Sequence, residues 1–136
     1  MGLRLLHLNL HGLIRSHDLE LGRDSDTGGQ TLYVLELVKG LAARPEVEKV
    51  ELITRLINDR RVSSDYSNPV EKISSCAEII RLPFGPKRYV RKELLWPYLD
   101  DLADRIVQRL QKENKFPDWI HAHYADAGYV GALVSR

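Results

Sequence analysis

The amino-acid sequence predicts an α/β domain with a Rossmann-like parallel sheet and helices on both faces. Short apolar runs of strand length alternate with longer segments whose apolar residues recur every three or four positions. A segment rich in glycine and aspartate separates the first predicted strand from the first predicted helix. Domains of this class bind ligands at such strand-to-helix turns. The 136 residues are enough for one domain of this kind.

The first strand and the first helix follow from leucine patterning and a proline. Residues 3–10 are rich in leucine and predict a strand that is buried on both faces. The helix is expected to begin near Gln30, with Asp26 or Thr27 as its N-cap, and to end before Pro45. Its buried stripe is predicted to consist of Val34, Leu35, Val38, Leu41 and Ala42.

The middle of the chain predicts two further strands that flank an irregular segment. Residues 49–54 and 78–82 are short apolar runs, which predict strands. Residues 55–77 between them are polar, contain a proline and show no clear period. They are expected to form a loop or a poorly ordered hairpin.

A long helix, a fourth strand and a last helix complete the predicted order. The helix is expected over residues 93–114, with Pro97 tolerated in its first turn, where a missing N–H has no partner to lose. Residues 119–122 predict a strand, and a helix rich in glycine and alanine follows it. The core stripe of the long helix is predicted to be Leu95, Leu99, Leu102, Ile106 and Leu110.

Charge and cysteine content exclude several classes of protein. Twenty basic and nineteen acidic residues leave a net charge of +1, whereas nucleic-acid binders carry a clear basic excess. Cys76 is the only cysteine, so no intrachain disulfide forms. The apolar run at the N-terminus is too polar for a signal peptide and too short to span a membrane. We therefore expect a cytoplasmic protein that binds neither nucleic acid nor membrane.

The turn DSDTGGQ at residues 24–30 is the first candidate ligand site. It joins the carboxyl end of a strand to a helix N-terminus, whose unpaired N–H groups favour anions. Paired glycines let a phosphate or a sugar approach the backbone, and Gln30 offers an amide to a hydroxyl. Alternatively, Gly28 and Gly29 only form the turn into the helix. The glycine spacing matches neither a dinucleotide-binding fingerprint nor a P-loop.

The segment FGPKRYVRK at residues 84–92 is the second candidate site. It follows a predicted strand, so it lies at the same edge of the sheet as the glycine turn. Cations at such an edge suit a phosphorylated sugar, although a solvated basic loop would have the same composition. The four cations are Lys87, Arg88, Arg91 and Lys92.

The histidines form the third candidate group. His121 and His123 share one face of a predicted strand, but no third metal ligand is evident from the sequence, so no metal site is expected. We expect His123 or Tyr124 to line the cleft and Asp126 to cap the last helix. The histidine at position 7 is predicted to be a hydrogen-bonded core residue. His11 lies at the end of the first strand, within possible reach of the cleft.

Three blocks of the sequence resemble sucrose-phosphate synthases in order and spacing. They are HGLIRSHDLELGRDSDTGGQTLYVLEL at residues 11–37, RLPFGPKRYVRKELLWPYL at 81–99 and HAHYADAGYVGALVS at 121–135. Sucrose synthases share the HG and DTGGQ elements. The ELGRDSDTGGQ and PFGPKRY motifs are more similar to those of sucrose-phosphate synthases, which use a phosphorylated acceptor. Cations near residue 90 agree with that distinction.

The resemblance implies a retaining glycosyltransferase of the GT-B fold, of the family 4 type. Two Rossmann-like domains face each other across a cleft in such enzymes. Glucose passes from UDP-glucose on the C-terminal domain to fructose 6-phosphate on the N-terminal domain and gives sucrose 6-phosphate. Neither a metal nor another cofactor is required. Both sugar compounds would be small-molecule ligands of the whole enzyme.

The same resemblance assigns candidate site residues and limits what the chain can do. Gly28 and Gly29 would also approach the donor phosphates. No catalytic residue is expected within the chain, since the family histidine would lie beyond Arg136. The acceptor-binding residues carried over by motif are Gly28, Gly29, Gln30, Lys92, Tyr124, Lys87 and Arg88.

Residues 1–136 are accordingly expected to be a partial N-terminal acceptor-binding domain. The donor-binding C-terminal domain would lie outside the chain, so the fragment alone is expected to be inactive. The early start of the first block resembles a bacterial or cyanobacterial form. Two alternatives stay open: a glucosyltransferase of the sucrose synthase type, and a stand-alone sugar-phosphate-binding module without catalysis.

Overall fold

A computed structural model describes residues 2–136 as one sheet with helices on either side. The described strands are β1 (Leu3–Leu8), β2 (Val47–Arg55), β3 (Val70–Ser74), β4 (Ala77–Leu82) and β5 (Trp119–Ala122). The described α-helices are α1 (Gly29–Ala42), α2 (Leu99–Glu113) and α3 (Tyr124–Val134). The alternation of strands and helices predicted from the apolar pattern is confirmed, and the strand at 119–122 has the predicted bounds.

The five strands lie in the order β3-β4-β2-β1-β5. β1 pairs in parallel with both β2 and β5, and β2 pairs in parallel with β4. Four carboxyl ends therefore point to the same edge of the sheet. β1 lies between β2 and β5. The chain passes from β1 to β2 on one side of β1 and later returns to form β5 on its other side. A ligand cleft forms at this kind of switch point in an open α/β sheet.

Helices cover both faces of the sheet, as predicted. α1 packs on one face, where Val34, Leu35 and Val38 meet strand residues such as Leu52 and Ile79. α2 and α3 pack on the opposite face over a second core. Each fully buried leucine or isoleucine there contributes roughly 1.5–3 kcal/mol. The predicted leucine stripe of the long helix is buried throughout, namely Leu95, Leu99, Leu102, Ile106 and Leu110. Among residues 2–136, no helix has the length and apolar character that a membrane span needs.

Residues 55–77 were expected to form a loop or a poorly ordered hairpin; the hairpin is present, but two parts of the segment are more regular than expected. Ser64–Ser67 forms a 3-10 turn, and β3 pairs antiparallel with β4 at one edge of the sheet. Burial alternates along β3, since only one of its faces is covered. This alternation spans too few residues to stand out in the sequence. Tyr66 is buried in a small cluster with Leu13 and Ile57, which fixes the 3-10 turn against the first loop.

The predicted N-cap of α1 is also wrong. Gly28 is the N-cap, and no side chain caps the helix. Asp26 instead accepts hydrogen bonds from the backbone N–H and the Nζ of Lys92, at 2.7 and 3.0 Å. The Oγ1 of Thr27 accepts from the backbone N–H of Leu13 at 3.0 Å. Both side chains are committed to long-range partners, which no local capping rule anticipates.

The long helix begins later than predicted. The chain first forms two 3-10 turns at Lys92–Leu94 and Trp96–Tyr98, and α2 starts at Leu99. Pro97 lies in the second 3-10 turn rather than in the first α-helical turn. α2 ends at Glu113, and its C-cap Asn114 has a left-handed φ of 53°, which is a common way to end a helix. The apolar period persists through the 3-10 turns because Leu95 remains buried, and this explains the misplaced start.

Candidate functional site

The candidate site lies where β1 and β5 end and where α1 and α3 begin. We call it the glycine-turn edge and define it by residues 24–30, Lys92 and Tyr124. The first loop and the segment after β4 meet here, since Lys92 binds Asp26. The prediction that the basic segment shares an edge with the glycine turn is therefore confirmed.

Open space lies above Gly28 and Gly29. Apart from the adjoining backbone, a Cβ built on either residue would meet no atom of residues 2–136 within 4 Å, and neither residue has a positive φ. Gly12 is different: its φ is +79°, and a Cβ there would lie 2.3 Å from the carbonyl oxygen of Asp26. The fold therefore requires glycine at position 12, whereas neither backbone conformation nor crowding requires it at 28 and 29. The space is also open at Gly22, Gly40 and Gly128, and it is the position of Gly28 and Gly29 at the N-terminus of α1 that leaves this pair available to a ligand.

Asp24 and Tyr89 hold the glycine-containing loop in place. The Oδ1 of Asp24 accepts from the backbone N–H groups of Asp26 and Thr27 at 2.9 and 3.0 Å. The hydroxyl of Tyr89 donates to the same oxygen at 2.9 Å. Burial raises the pKa of the Tyr89 hydroxyl, so it remains a donor near neutral pH. The loop that precedes the helix N-terminus is thus fixed before any ligand binds.

Lys92 places a positive charge at the glycine-turn edge. Its Nζ lies 3.0 Å from Asp26 Oδ1 and 3.1 Å from Glu93 Oε2. The hydrogen bond to Asp26, and to a smaller extent that to Glu93, raises the pKa of Lys92, so the ammonium group is charged at neutral pH. The Nζ also lies 5.7 Å from the ring centre of Tyr124, within cation–π range. Asp26 is buried and Glu93 is exposed, so only Glu93 is free to move away from the lysine.

Gln30 is oriented by Asn9, the residue that directly follows β1. The Nε2 of Gln30 donates to Asn9 Oδ1 at 2.7 Å, and the Nδ2 of Asn9 donates to the carbonyl oxygen of His11 at 3.3 Å. Asn9 is fully buried. The Gln30 amide is therefore held at the carboxyl end of β1, beside the open space over the glycines.

Tyr124 stands at the glycine-turn edge with a strained backbone. Its φ is +78°, which is an outlier for a bulky residue, and its side chain is exposed. The ring of His11 meets the Tyr124 ring edge-on, with centroids 4.9 Å apart. Nδ1 of His11 lies 2.8 Å from Asp126 Oδ2, and both side chains are buried. Asp126 is not the N-cap of α3, which is His123, but it lies in the first turn, where its Oδ1 accepts from the backbone N–H of Ala127 at 2.7 Å and its Oδ2 pairs with His11.

The other three predicted cations are not brought to Lys92's position. The carbonyl oxygen of Lys87 accepts from the backbone N–H of Asn58, and that of Arg88 accepts from Arg55. These contacts hold the first part of the segment near the end of β2. The side chains of Lys87, Arg88 and Arg91 are exposed.

The histidine prediction was partly right. His121 and His123 share a face, with rings stacked at 4.2 Å, and His7 is buried, as predicted. The expectation that the pair lacks a third neighbour is wrong. His7 pairs with His121 across β1 and β5, and its Nδ1 lies 3.0 Å from His123 Nε2. Burial lowers the pKa of both His7 and His123 to about 4, so both rings are neutral at pH 7.

Sequence reasoning missed the residues that position the candidate ligand groups. Asp26 and Asp126 were interpreted as helix caps, and Asn9 was not singled out. The partners of Asp26 and Asp126 lie 66 and 115 residues away in the chain, so local patterns carry no signal for them. Asn9 offered one signal: it is a polar residue directly after a buried strand that faces a strand-to-helix turn.

Comparison with known proteins gives concordant matches. A family model described as "Sucrose synthase first GT-B domain" matches residues 2–136. A probable sucrose-phosphate synthase 2 of Arabidopsis thaliana is 43% identical over 159 residues, covering 98% of this chain and 15% of that protein. The sucrose-phosphate synthase of Spinacia oleracea is 43% identical over 155 residues, covering 94% and 15%. The chain thus spans about 15% of the length of these relatives.

A solved structure agrees with the fold. The sucrose-phosphate synthase of Thermosynechococcus elongatus superposes with a TM-score of 0.76 at 26% identity. The match covers 98% of this chain and 30% of that one. The predicted fold class, an α/β sheet of the GT-B N-terminal type with helices on both faces, is confirmed.

Proposed function

The chain belongs to the family of sucrose synthase first GT-B domains, and on that premise we propose that it is the acceptor-binding part of a sucrose-phosphate synthase. Relatives about 40% identical to this chain over nearly all of its length are sucrose-phosphate synthases. The proposed reaction transfers glucose from UDP-glucose to fructose 6-phosphate in the cytoplasm. Residues 1–136 would contribute the acceptor side, and a second domain would contribute the donor side.

The open space over Gly28 and Gly29 is the observation that carries this proposal. Two glycines whose Cβ positions are empty stand at a helix N-terminus. Helix N-termini bind anionic groups through unpaired N–H groups and the positive end of the dipole. The ammonium group of Lys92 and the amide of Gln30 border the same edge. An anionic, hydroxyl-rich ligand such as a sugar phosphate fits this combination.

Each bordering residue has a distinct proposed role. Lys92 binds the phosphate of fructose 6-phosphate, with exposed Glu93 moving aside and buried Asp26 holding the ammonium group in place. Gln30 binds a sugar hydroxyl, and Tyr124 offers its exposed ring to the sugar. Lys87 and Arg88 act from the surface by attracting the phosphate. The backbone at Gly28 and Gly29 approaches both the acceptor and the donor phosphates.

The proposed transfer requires neither a metal nor another cofactor. The bond between the anomeric carbon of glucose and UDP breaks, and a bond from the same carbon to the acceptor hydroxyl forms with retention of configuration. The acceptor hydroxyl loses its proton, and UDP leaves as an anion. The groups that stabilise the leaving group and the family histidine would lie outside this chain. We therefore propose that residues 1–136 alone bind the acceptor but do not turn over.

The reaction is tested in a longer parent protein. Purified parent is incubated with UDP-glucose and fructose 6-phosphate, and the products are identified by mass spectrometry. We expect sucrose 6-phosphate. The alternative is an enzyme of the sucrose synthase type, and the description of the matching family agrees with it. This alternative replaces the proposal if UDP-glucose is consumed with fructose and not with fructose 6-phosphate. If the parent has no transferase activity but still binds fructose 6-phosphate, the chain is a binding module.

A glycine substitution tests the carrying observation. Gly29→Ala adds a methyl group in the open space, so we expect the free energy of unfolding to stay unchanged or rise by up to about 1 kcal/mol. The same methyl group would obstruct the ligand, so we expect kcat/KM for fructose 6-phosphate to fall at least about tenfold. Gly40→Ala, in the same helix and also without a neighbour for its Cβ, is the matched control. Equal activity of both variants would remove the support for a ligand at this turn.

A further inference from the structure

Three histidines meet on the face of the sheet that α1 covers. His7 lies directly opposite His121 across the parallel pair β1 and β5, and His123 follows two residues later. One ring nitrogen from each side chain lies within 4.8 Å of the other two. The rings of His7 and His123 are stacked at 5.3 Å, and those of His121 and His123 at 4.2 Å. The acceptor-binding proposal uses none of these three side chains.

We propose that His7, His121 and His123 form a binding site for a zinc-class divalent cation. Imidazole nitrogen is a preferred ligand of Zn²⁺, and three protein ligands with one open position are a common zinc arrangement. Zn–N bonds of about 2.0–2.1 Å at tetrahedral angles separate the nitrogens by roughly 3.3 Å. The 3.0 Å separation of His7 Nδ1 and His123 Nε2 is close to this value.

The contact between His7 and His123 explains how the cation would enter. Two neutral imidazole nitrogens at 3.0 Å share one proton, with one ring donating and the other accepting. A cation takes the place of that shared proton, which moves through solvent to the other nitrogen of the same ring, so that both imidazoles stay neutral. Both lone pairs then point at the metal. His121 completes the set by a small rotation of its exposed side chain.

The surroundings supply access and a fixed frame. A cavity of about 310 Å³ borders His7 and His121 and is also lined by Leu5, Leu41 and Trp119. This cavity gives a water molecule room to take the fourth position. His7 and His121 lie on strands, and His123 is the N-cap of α3. A bound cation would therefore link β1 to β5, directly before Tyr124.

The experiment uses tag-free, full-length protein that has been treated with a chelator. Zn²⁺ is titrated by calorimetry, and Co²⁺ is used as a spectroscopic substitute. We expect one ion per chain, a visible absorption of the four-coordinate type with Co²⁺, and a higher Tm with Zn²⁺ present. His121→Ala removes an exposed ligand with little risk to folding. Loss of a residue that only hydrogen-bonds to a metal ligand weakens metal binding by roughly 10–100-fold. His121→Ala removes a ligand itself, so it should weaken Zn²⁺ binding by more than that.

His17→Ala is the matched control, because His17 is a histidine whose side chain is 60% exposed and which lies outside the cluster. We expect its Zn²⁺ affinity to equal that of the wild type. His7→Phe, which keeps a buried ring at this position, should abolish the Co²⁺ signal while the protein stays folded by circular dichroism. The proposal is overturned if wild type and His121→Ala bind Zn²⁺ equally, or if wild type binds none. A loss of binding in His17→Ala rather than His121→Ala would overturn it as well.

Discussion

Two groups of cations near the same edge of the sheet differ in what they contact. Arg55 and Arg81 lie at or near the carboxyl ends of β2 and β4 and are buried. Arg81 donates to the carbonyl oxygens of Asn68 and Ile14 and to Glu71 Oε1 at 2.7 Å. Arg55 donates to two carbonyl oxygens of the segment after β4. Lys92, by contrast, is partly exposed and has one exposed partner.

The difference separates cations that hold the fold from a cation that is available to a ligand. The contacts of Arg81 come from two separate parts of the chain, residue 14 and residues 68–71, so the chain itself satisfies the guanidinium group. Burial lowers the pKa of Arg55 to about 10, so it stays charged at neutral pH and fixes two carbonyl groups. In our proposal, Lys92 exchanges its exposed carboxylate partner, Glu93, for a phosphate. Charge at a strand end indicates a ligand contact only where the chain leaves a donor available.

The largest expected effect comes from removing the buried guanidinium group. Arg81→Met should lower the free energy of unfolding by about 3–5 kcal/mol, because the half-buried Glu71 carboxylate and two carbonyl groups lose their partner. Chemical denaturation with circular dichroism measures the change. The double variant Arg81→Met with Glu71→Gln should recover part of the loss, since the half-buried carboxylate that has lost its counter-charge is then replaced by a neutral amide. A loss below about 1 kcal/mol would show that Arg81 is not the structural cation we describe.

The next effect concerns binding rather than stability. Lys92→Ala in the parent enzyme should raise the KM for fructose 6-phosphate, since a charge-assisted contact contributes about 1.5–3 kcal/mol, or roughly ten-fold to more than a hundred-fold. Steady-state kinetics at saturating UDP-glucose measure it. Arg91→Ala removes the same charge one residue earlier, from an exposed pair with Glu93, and should change KM by about fivefold at most. An unchanged KM in Lys92→Ala would place the phosphate elsewhere.

The contrast between these cations also shows how much of the fold and of the site could be predicted from the sequence. Apolar period and strand-end position were enough to predict the sheet, the two helix-covered faces and the meeting of the basic segment with the glycine turn. They could not rank the cations, because the partner of Lys92 is Asp26 and the partner of Arg81 is Glu71 in β3. β3 itself was expected only as part of a loop or a poorly ordered hairpin. Contacts between distant residues exist only after folding, and local patterns do not encode them.

A smaller effect is expected from a neutral residue that only positions a ligand group. Asn9→Ala removes the acceptor of the Gln30 amide, so kcat/KM for fructose 6-phosphate should fall by the roughly 2- to 13-fold that corresponds to about 0.5–1.5 kcal/mol. Gln30→Ala should cost at least as much. Asn9→Ala added to Gln30→Ala should have no further effect, because the two residues act through one contact. Additive losses would show that Asn9 acts independently of Gln30.

The smallest effect separates attraction over a distance from direct contact. Arg88 is exposed, and its backbone is held at the β2 side of the basic segment. Arg88→Ala should therefore raise the KM for fructose 6-phosphate by only about two- to fivefold at low salt, the range of an exposed charge pair. This increase should vanish at high salt, since screening shortens the Debye length from about 30 Å at 0.01 M to about 3 Å at 1 M. The effect of Lys92→Ala should persist under the same conditions, because a direct hydrogen bond is screened less. If the effect of Arg88→Ala also persisted at high salt, Arg88 would contact the phosphate directly and would belong with Lys92.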